Sequence, residues 1–129
     1  MLSKNIGLLI LAALLMGSFI AMPVSAHHGT AAFNTKNTVT VKGTITEFLY
    51  TNPHVQVYFD VKNDKGEMEK WQAELTAPNK LTRAGWNKRT LKPGDSVTIS
   101  GYQVESGDHT MWIRKLIGPD GNELPLFED

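Results

Sequence analysis

Val39-Thr40-Val41-Lys42-Gly43-Thr44-Ile45-Thr46-Glu47-Phe48-Leu49-Tyr50, followed by Thr51-Asn52-Pro53-His54 and then Val55-Gln56-Val57-Tyr58-Phe59-Asp60-Val61, is the stretch whose reading decides the fold. In its first run Val39, Val41, Ile45 and Leu49 take alternate positions, with Thr40, Lys42, Thr44 and Thr46 between them. In its second, Val55, Val57, Phe59 and Val61 alternate with Gln56, Tyr58, Asp60 and Lys62. Side chains along a strand point to opposite faces with period two, so each run predicts a strand with one core face and one polar face. Pro53 lacks an N–H and marks the boundary between them. Gly43 interrupts the first run where a strongly bent strand carries a glycine or a bulge.

Working outward, Asn63-Asp64-Lys65-Gly66 predicts a hairpin turn into a third strand from Met68 to Leu75, with Trp71, Ala73 and Leu75 facing the core. Thr76-Ala77-Pro78-Asn79 reads as a helix start, with the Thr76 hydroxyl as N-cap and proline in the first turn. The helix carries Leu81 and Ala84, ends near Gly85, and is too short to stand without packing. Leu91-Lys92-Pro93-Gly94-Asp95 turns the chain into a fourth strand holding Val97, Ile99 and Gly101. Ser106 to His109 turns again, and a fifth strand sets Met111, Ile113 and Ile117 against Trp112, Arg114 and Leu116. Three strands, one short helix and two more strands predict an all-β, five-stranded, OB-fold-like Greek-key barrel. A β-sandwich is the runner-up, but five strands fall short of the seven it needs.

The amino-terminal segment reads differently. Lys4 precedes an apolar run from Ile6 to Met16, Pro23 breaks it, and Val24-Ser25-Ala26 offers small residues to a signal peptidase. We therefore expect residues 1–26 to be a signal peptide, 27–38 a lead-in whose Phe33 packs on the domain, and 39–129 the barrel. The competing reading is a membrane anchor, but a span needs about 20 apolar residues and this run is interrupted by Gly and Ser. The expected product is periplasmic or secreted and has no membrane span. It contains no cysteine, so its core must hold it together without disulfides.

The chain carries 13 basic and 13 acidic side chains, a balance that argues against a surface coated in phosphate-binding charge while leaving room for a local patch. No nucleic-acid partner is expected. Cysteine nucleophiles, Gly-x-Ser-x-Gly elbows, His-Glu-x-x-His pairs and glycine-rich phosphate loops are all absent, so the expectation is a binding protein and not an enzyme.

Cleavage after Ala26 would make His27-His28 the mature terminus. An amino-terminal histidine offers its α-amine and ring Nδ1 to one metal ion, and a second histidine adds another nitrogen. Such nitrogen donors suit Cu(II) above the other divalent first-row ions, so copper is the candidate cofactor. The plainer alternative is two polar residues at a frayed terminus. His54 and His109 fall in the loops joining strands one to two and four to five, which flank the ligand face of this fold, and they complete the candidate metal set. Asn52, Arg83, Trp86 and Trp112 are the candidate ligand-binding residues. Arg83 and Trp86 belong to a basic stretch with Lys80, Lys88, Arg89 and Lys92, whose simpler reading is a solvated helix end with Trp86 as a core plug. Trp112 is either an exposed stacking platform or a barrel cap.

His27-His28, Thr51-Asn52-Pro53-His54, Pro78-Asn79 with Leu81, Arg83 and Gly85-Trp86, Leu91 to Asp95, and Asp120-Gly121 together resemble a family of small exported bacterial proteins of uncharacterised function. The chain departs from its usual pattern at Gly29, where Ser is typical, and at Thr76-Ala77, where Gly-Ser is. The resemblance implies export and the barrel, adds weight to His27, His28, His54, Arg83 and Trp86, and brings no activity with it. Two functions follow as expectations: an exported protein binding a copper-type ion, or a periplasmic module docking a protein or an anionic ligand at the barrel rim.

Overall fold

The computed structural model describes residues 32–126. Its elements are β1 (Phe33–Leu49), β2 (Gln56–Lys62), β3 (Met68–Glu74), the short helix α1 (Pro78–Arg83), β4 (Ser96–Val104) and β5 (Thr110–Ile117). The strands close into a barrel in the order β1-β2-β3-β5-β4, with β4 returning to β1. Every pairing is antiparallel except β3 with β5, where Gln72, Ala73 and Glu74 lie beside Thr110, Met111 and Trp112. This is the five-stranded OB-fold-like Greek-key barrel. Among the described residues no helix is long and apolar enough to cross a membrane.

β1 holds the barrel together because it pairs along its length with two neighbours. Its first half runs beside β4 and its second beside β2, and Gly43 stands opposite both Val61 and Val97. A Cβ at Gly43 would lie 2.6 Å from the Asp60 carbonyl oxygen, so only glycine lets the backbones approach this closely where β1 passes from one partner to the other. β1 also starts earlier than its alternation suggests, at Phe33, because part of the lead-in pairs with β4.

Two bulges change which side chains reach the core. The β1–β2 register shifts between Ile45 and Glu47, and beyond it Phe48 and Tyr50, in place of Leu49, pack against the core cluster. The β4–β5 register shifts between Ser100 and Gly101, so Leu116 is fully buried and Ile117 only half-buried. In each case one extra residue reverses the alternation after it, which strict period-two reading cannot anticipate.

Inside the barrel Val57, Phe59, Trp71, Ala73, Val97, Ile99, Met111 and Ile113 interdigitate, and Leu81, Trp86 and Leu91 join the same cluster from α1 and the segment after it. Among the described residues no polar or charged side chain is buried. The N-cap of α1 is Ala77, whose side chain makes no cap, so Thr76 does not serve as N-cap. The helix is fastened instead by Tyr50, whose hydroxyl donates to the Pro78 carbonyl at 2.9 Å and lies 2.8 Å from Thr82 Oγ1.

Candidate functional site

Because Val57, Phe59, Trp71, Ala73, Met111 and Ile113 face inward, their alternates Gln56, Tyr58, Gln72, Glu74 and Trp112 form the outer face of β2, β3 and β5. That face carries ordered polar contacts. Gln56 Oε1 accepts from the Tyr58 hydroxyl at 2.7 Å and from Gln72 Nε2 at 3.2 Å. At its upper end Glu74 stands beside Trp112 in the parallel ladder.

His54 comes onto this face from the β1–β2 loop, where the Asn52–Pro53 peptide is cis. Its Nδ1 lies 3.3 Å from Glu74 Oε2, and its ring meets the Trp112 indole edge-on at 5.3 Å. A carboxylate can only accept, so Nδ1 carries a proton, and in the neutral ring that leaves the lone pair on Nε2. Nε2 has no hydrogen-bond partner among the described residues. A carboxylate-oriented imidazole with an open second nitrogen is the arrangement of a metal-ligating histidine. Trp112 also meets the Phe33 ring, 6.1 Å away, which fixes the first residue of β1 against the same patch.

His109 occupies a different place. Its ring lies flat on Trp71, with centroids 4.7 Å apart and planes 8° from parallel, and its Nε2 is 3.6 Å from Glu69 Oε2. Glu69 and Glu74 are five positions apart on β3, about 16 Å, and project to opposite faces. The two loop histidines therefore take separate partners: each imidazole has its own carboxylate. Among the described residues no group of three or more His, Cys, Asp or Glu side chains stands close enough together to hold a metal. His27 and His28 lie outside the described residues.

The Glu69 carboxyl is held below the ordinary carboxylate range, first by the hydrogen bond from Asn63 Nδ2, next by that from Trp71 Nε1, and to a smaller degree by His109. Since its folded value lies below its unfolded one, it adds stability that is fully present above the ordinary carboxylate range. That stability is lost as pH falls through the lowered value. Glu69→Gln is expected to lose less of its urea midpoint than the native chain between about pH 7 and about pH 3. Equal losses would show that the carboxylate is not linked to folding.

The remaining candidates scatter. Asn52 is exposed in the β1–β2 loop and Arg83 is exposed at the end of α1. Trp86 is 2 % exposed, and its Nε1 donates to the Pro125 carbonyl at 2.7 Å, which leaves no ring face for a ligand. Trp112 is half-buried and is shared between Phe33 and His54. Glu74 was hidden in the sequence because a carboxylate on the polar side of a strand reads as a solvated face. Its position opposite the incoming loop, not its spacing, gives it a partner.

Comparison with solved structures returns matches of low identity and low TM-score. A ZRD-deleted mutant of TiaS in complex with agmatine aligns with TM-score 0.42 and 17% identity over 64% of this chain and 21% of its own. TiaS in complex with a tRNA and ATP gives 0.44 and 19% over 72% and 20%. The N-terminal domain of PriB from Thermoanaerobacter tencongensis gives 0.40 and 20% over 70% of this chain and 98% of that domain. The chain thus spans about a fifth of the length of the TiaS chains it matches. No curated protein matches it. A family model described as a family of unknown function, DUF6152, matches residues 16–112.

Proposed function

For this chain, which belongs to the DUF6152 family of unknown function, we propose the role of an exported, non-enzymatic protein that binds a copper-type ion through its mature terminus, with His54 as the ligand contributed by the barrel. The α-amine and Nδ1 of His27 form a chelate, and His28 adds a further nitrogen. Their reference pKa values of about 7.7 and 6.5 make deprotonation near neutral pH inexpensive. Nitrogen-rich donor sets favour Cu(II).

What supports the reading is the seating of Phe33 on Trp112 beside His54. His28 precedes Phe33 by five residues, and that length of chain spans at most about 17 Å. That span lets the terminal histidines reach the open Nε2 of His54, whereas His109 sits on Trp71 beside Glu69. Glu74 holds the His54 ring in the ligating tautomer, a contact that in metal sites is worth roughly 10- to 100-fold in affinity.

The test is a Cu(II) titration of the mature protein, its terminus verified by mass spectrometry, followed by EPR. The expected result is a nitrogen-ligated signal that is lost when His27 and His28 are both replaced by Ala. His54→Ala should weaken binding on the order of tenfold or more, and His109→Ala should leave it unchanged. A spectrum and affinity indistinguishable between the native protein and the double variant would end the proposal.

A further inference from the structure

Between the last residues of β1 and the segment that follows α1 runs a groove of about 460 Å³ whose lining does not include His54. Both walls are fixed by the fold. The bulge at Ile45–Glu47 forms one of them. The other is a double turn: Asn87 Oδ1 accepts from the Arg89 N–H, and Asp95 Oδ2 accepts from the Lys92 N–H. That second turn is pinned to β1 by two backbone bonds, Ile45 N–H to the Asp95 carbonyl at 2.8 Å and Gly94 N–H to the Ile45 carbonyl at 2.9 Å.

The groove is lined by the apolar Phe48, Leu49 and Leu91 and by the cationic Lys88, Arg89 and Lys92. Among the described residues none of those three cations pairs with a carboxylate. Glu47 also lines the groove, so its balance is two positive charges. Cations with no carboxylate partner among the described residues, lining a groove with apolar side chains, suit a ligand with an anionic head and an apolar tail, and the volume falls in the range of small-molecule sites, about 300–1,000 Å³.

We infer that this groove binds a free single-chain amphiphile bearing a carboxylate, with the head held by Lys88, Arg89 and Lys92 and the tail laid along Phe48, Leu49 and Leu91. A free ligand fits better than a bilayer surface, because membrane docking needs protruding apolar side chains. The one large hydrophobic side chain strongly exposed among the described residues is Met68, which does not line the groove.

The experiment is an NMR titration of the mature protein with decanoate, with decanol and anionic phospholipid vesicles as parallel probes. Decanoate is expected to shift the amides of Phe48, Leu49 and Leu91 saturably. Arg89→Glu combined with Lys92→Glu, both on exposed side chains and checked for a native spectrum, should weaken it more than tenfold, and decanol should bind more weakly. The proposal is overturned by unsaturable shifts, by shifts elsewhere, by equal binding in the double variant, by decanol binding as well as decanoate, or by association with vesicles alone.

Discussion

Gly101→Ala is expected to remove a large share of the stability of the barrel. A Cβ at this position would collide with the carbonyl oxygen of Trp112 and sit 2.8 Å from its carbonyl carbon and 3.1 Å from Ile113 Cα. All three are backbone atoms of β5, so no side chain can rotate out of the way. The site is also where the β4–β5 register shifts and the phase of β5 reverses to bury Leu116. Relief requires β4 and β5 to separate at the bulge, which breaks ladder bonds in a barrel that has no spare edge. Overpacking of this kind costs about 3 kcal/mol, and more where backbone must move. A domain of this size has roughly 5–15 kcal/mol in total. Urea denaturation followed by tryptophan fluorescence checks it, and a midpoint within error of the native one would show that the strands can part freely there.

Trp86→Ala should cost about 3–5 kcal/mol, the range for emptying a buried tryptophan site. Trp86 joins three parts of the molecule: its ring packs on Phe48 of β1 at 6.2 Å, its Nε1 holds the Pro125 carbonyl, and its own carbonyl accepts from the Tyr50 hydroxyl at 3.3 Å. Truncation opens a cavity at the end of the barrel that α1 covers and leaves Pro125 without its donor. Trp86→Phe separates the two effects, since it keeps most of the volume while removing the N–H, whose loss costs about 1 kcal/mol. Similar losses in both variants would place the stabilisation in the hydrogen bond and not in packing.

The alternation around Val55–Val61 and Trp71–Leu75 was legible because those strands are short and regular, and the barrel followed from their order. Gly43 was legible as a bend because nothing else interrupts β1. Leu49 and Ile117 were assigned to the core in place of Phe48 and Leu116 because a bulge leaves no mark in a run of mixed residues; its cause lies across the strand. Thr76 has the chemistry of an N-cap, yet Ala77 takes that place and Tyr50 supplies the fastening from 28 residues away. The candidate site was legible only as types. Histidine in Asn52-Pro53-His54 could be noticed, but its pairing with Glu74 and its contact with Trp112 depend on register. The same register gave His109 a separate carboxylate, and no reading of loop positions alone could distinguish the two.

The position of a bound ion decides between a site at His54 and one elsewhere on the barrel. Paramagnetic Cu(II) broadens the NMR signals of nearby nuclei, so one equivalent added to the isotope-labelled mature protein locates it directly. We expect the resonances of His54, Trp112 and Phe33 to disappear while those of His109 and Trp71 persist. Retention of the His54 and Trp112 signals alongside loss of those from His109 and Trp71 would contradict the proposed site.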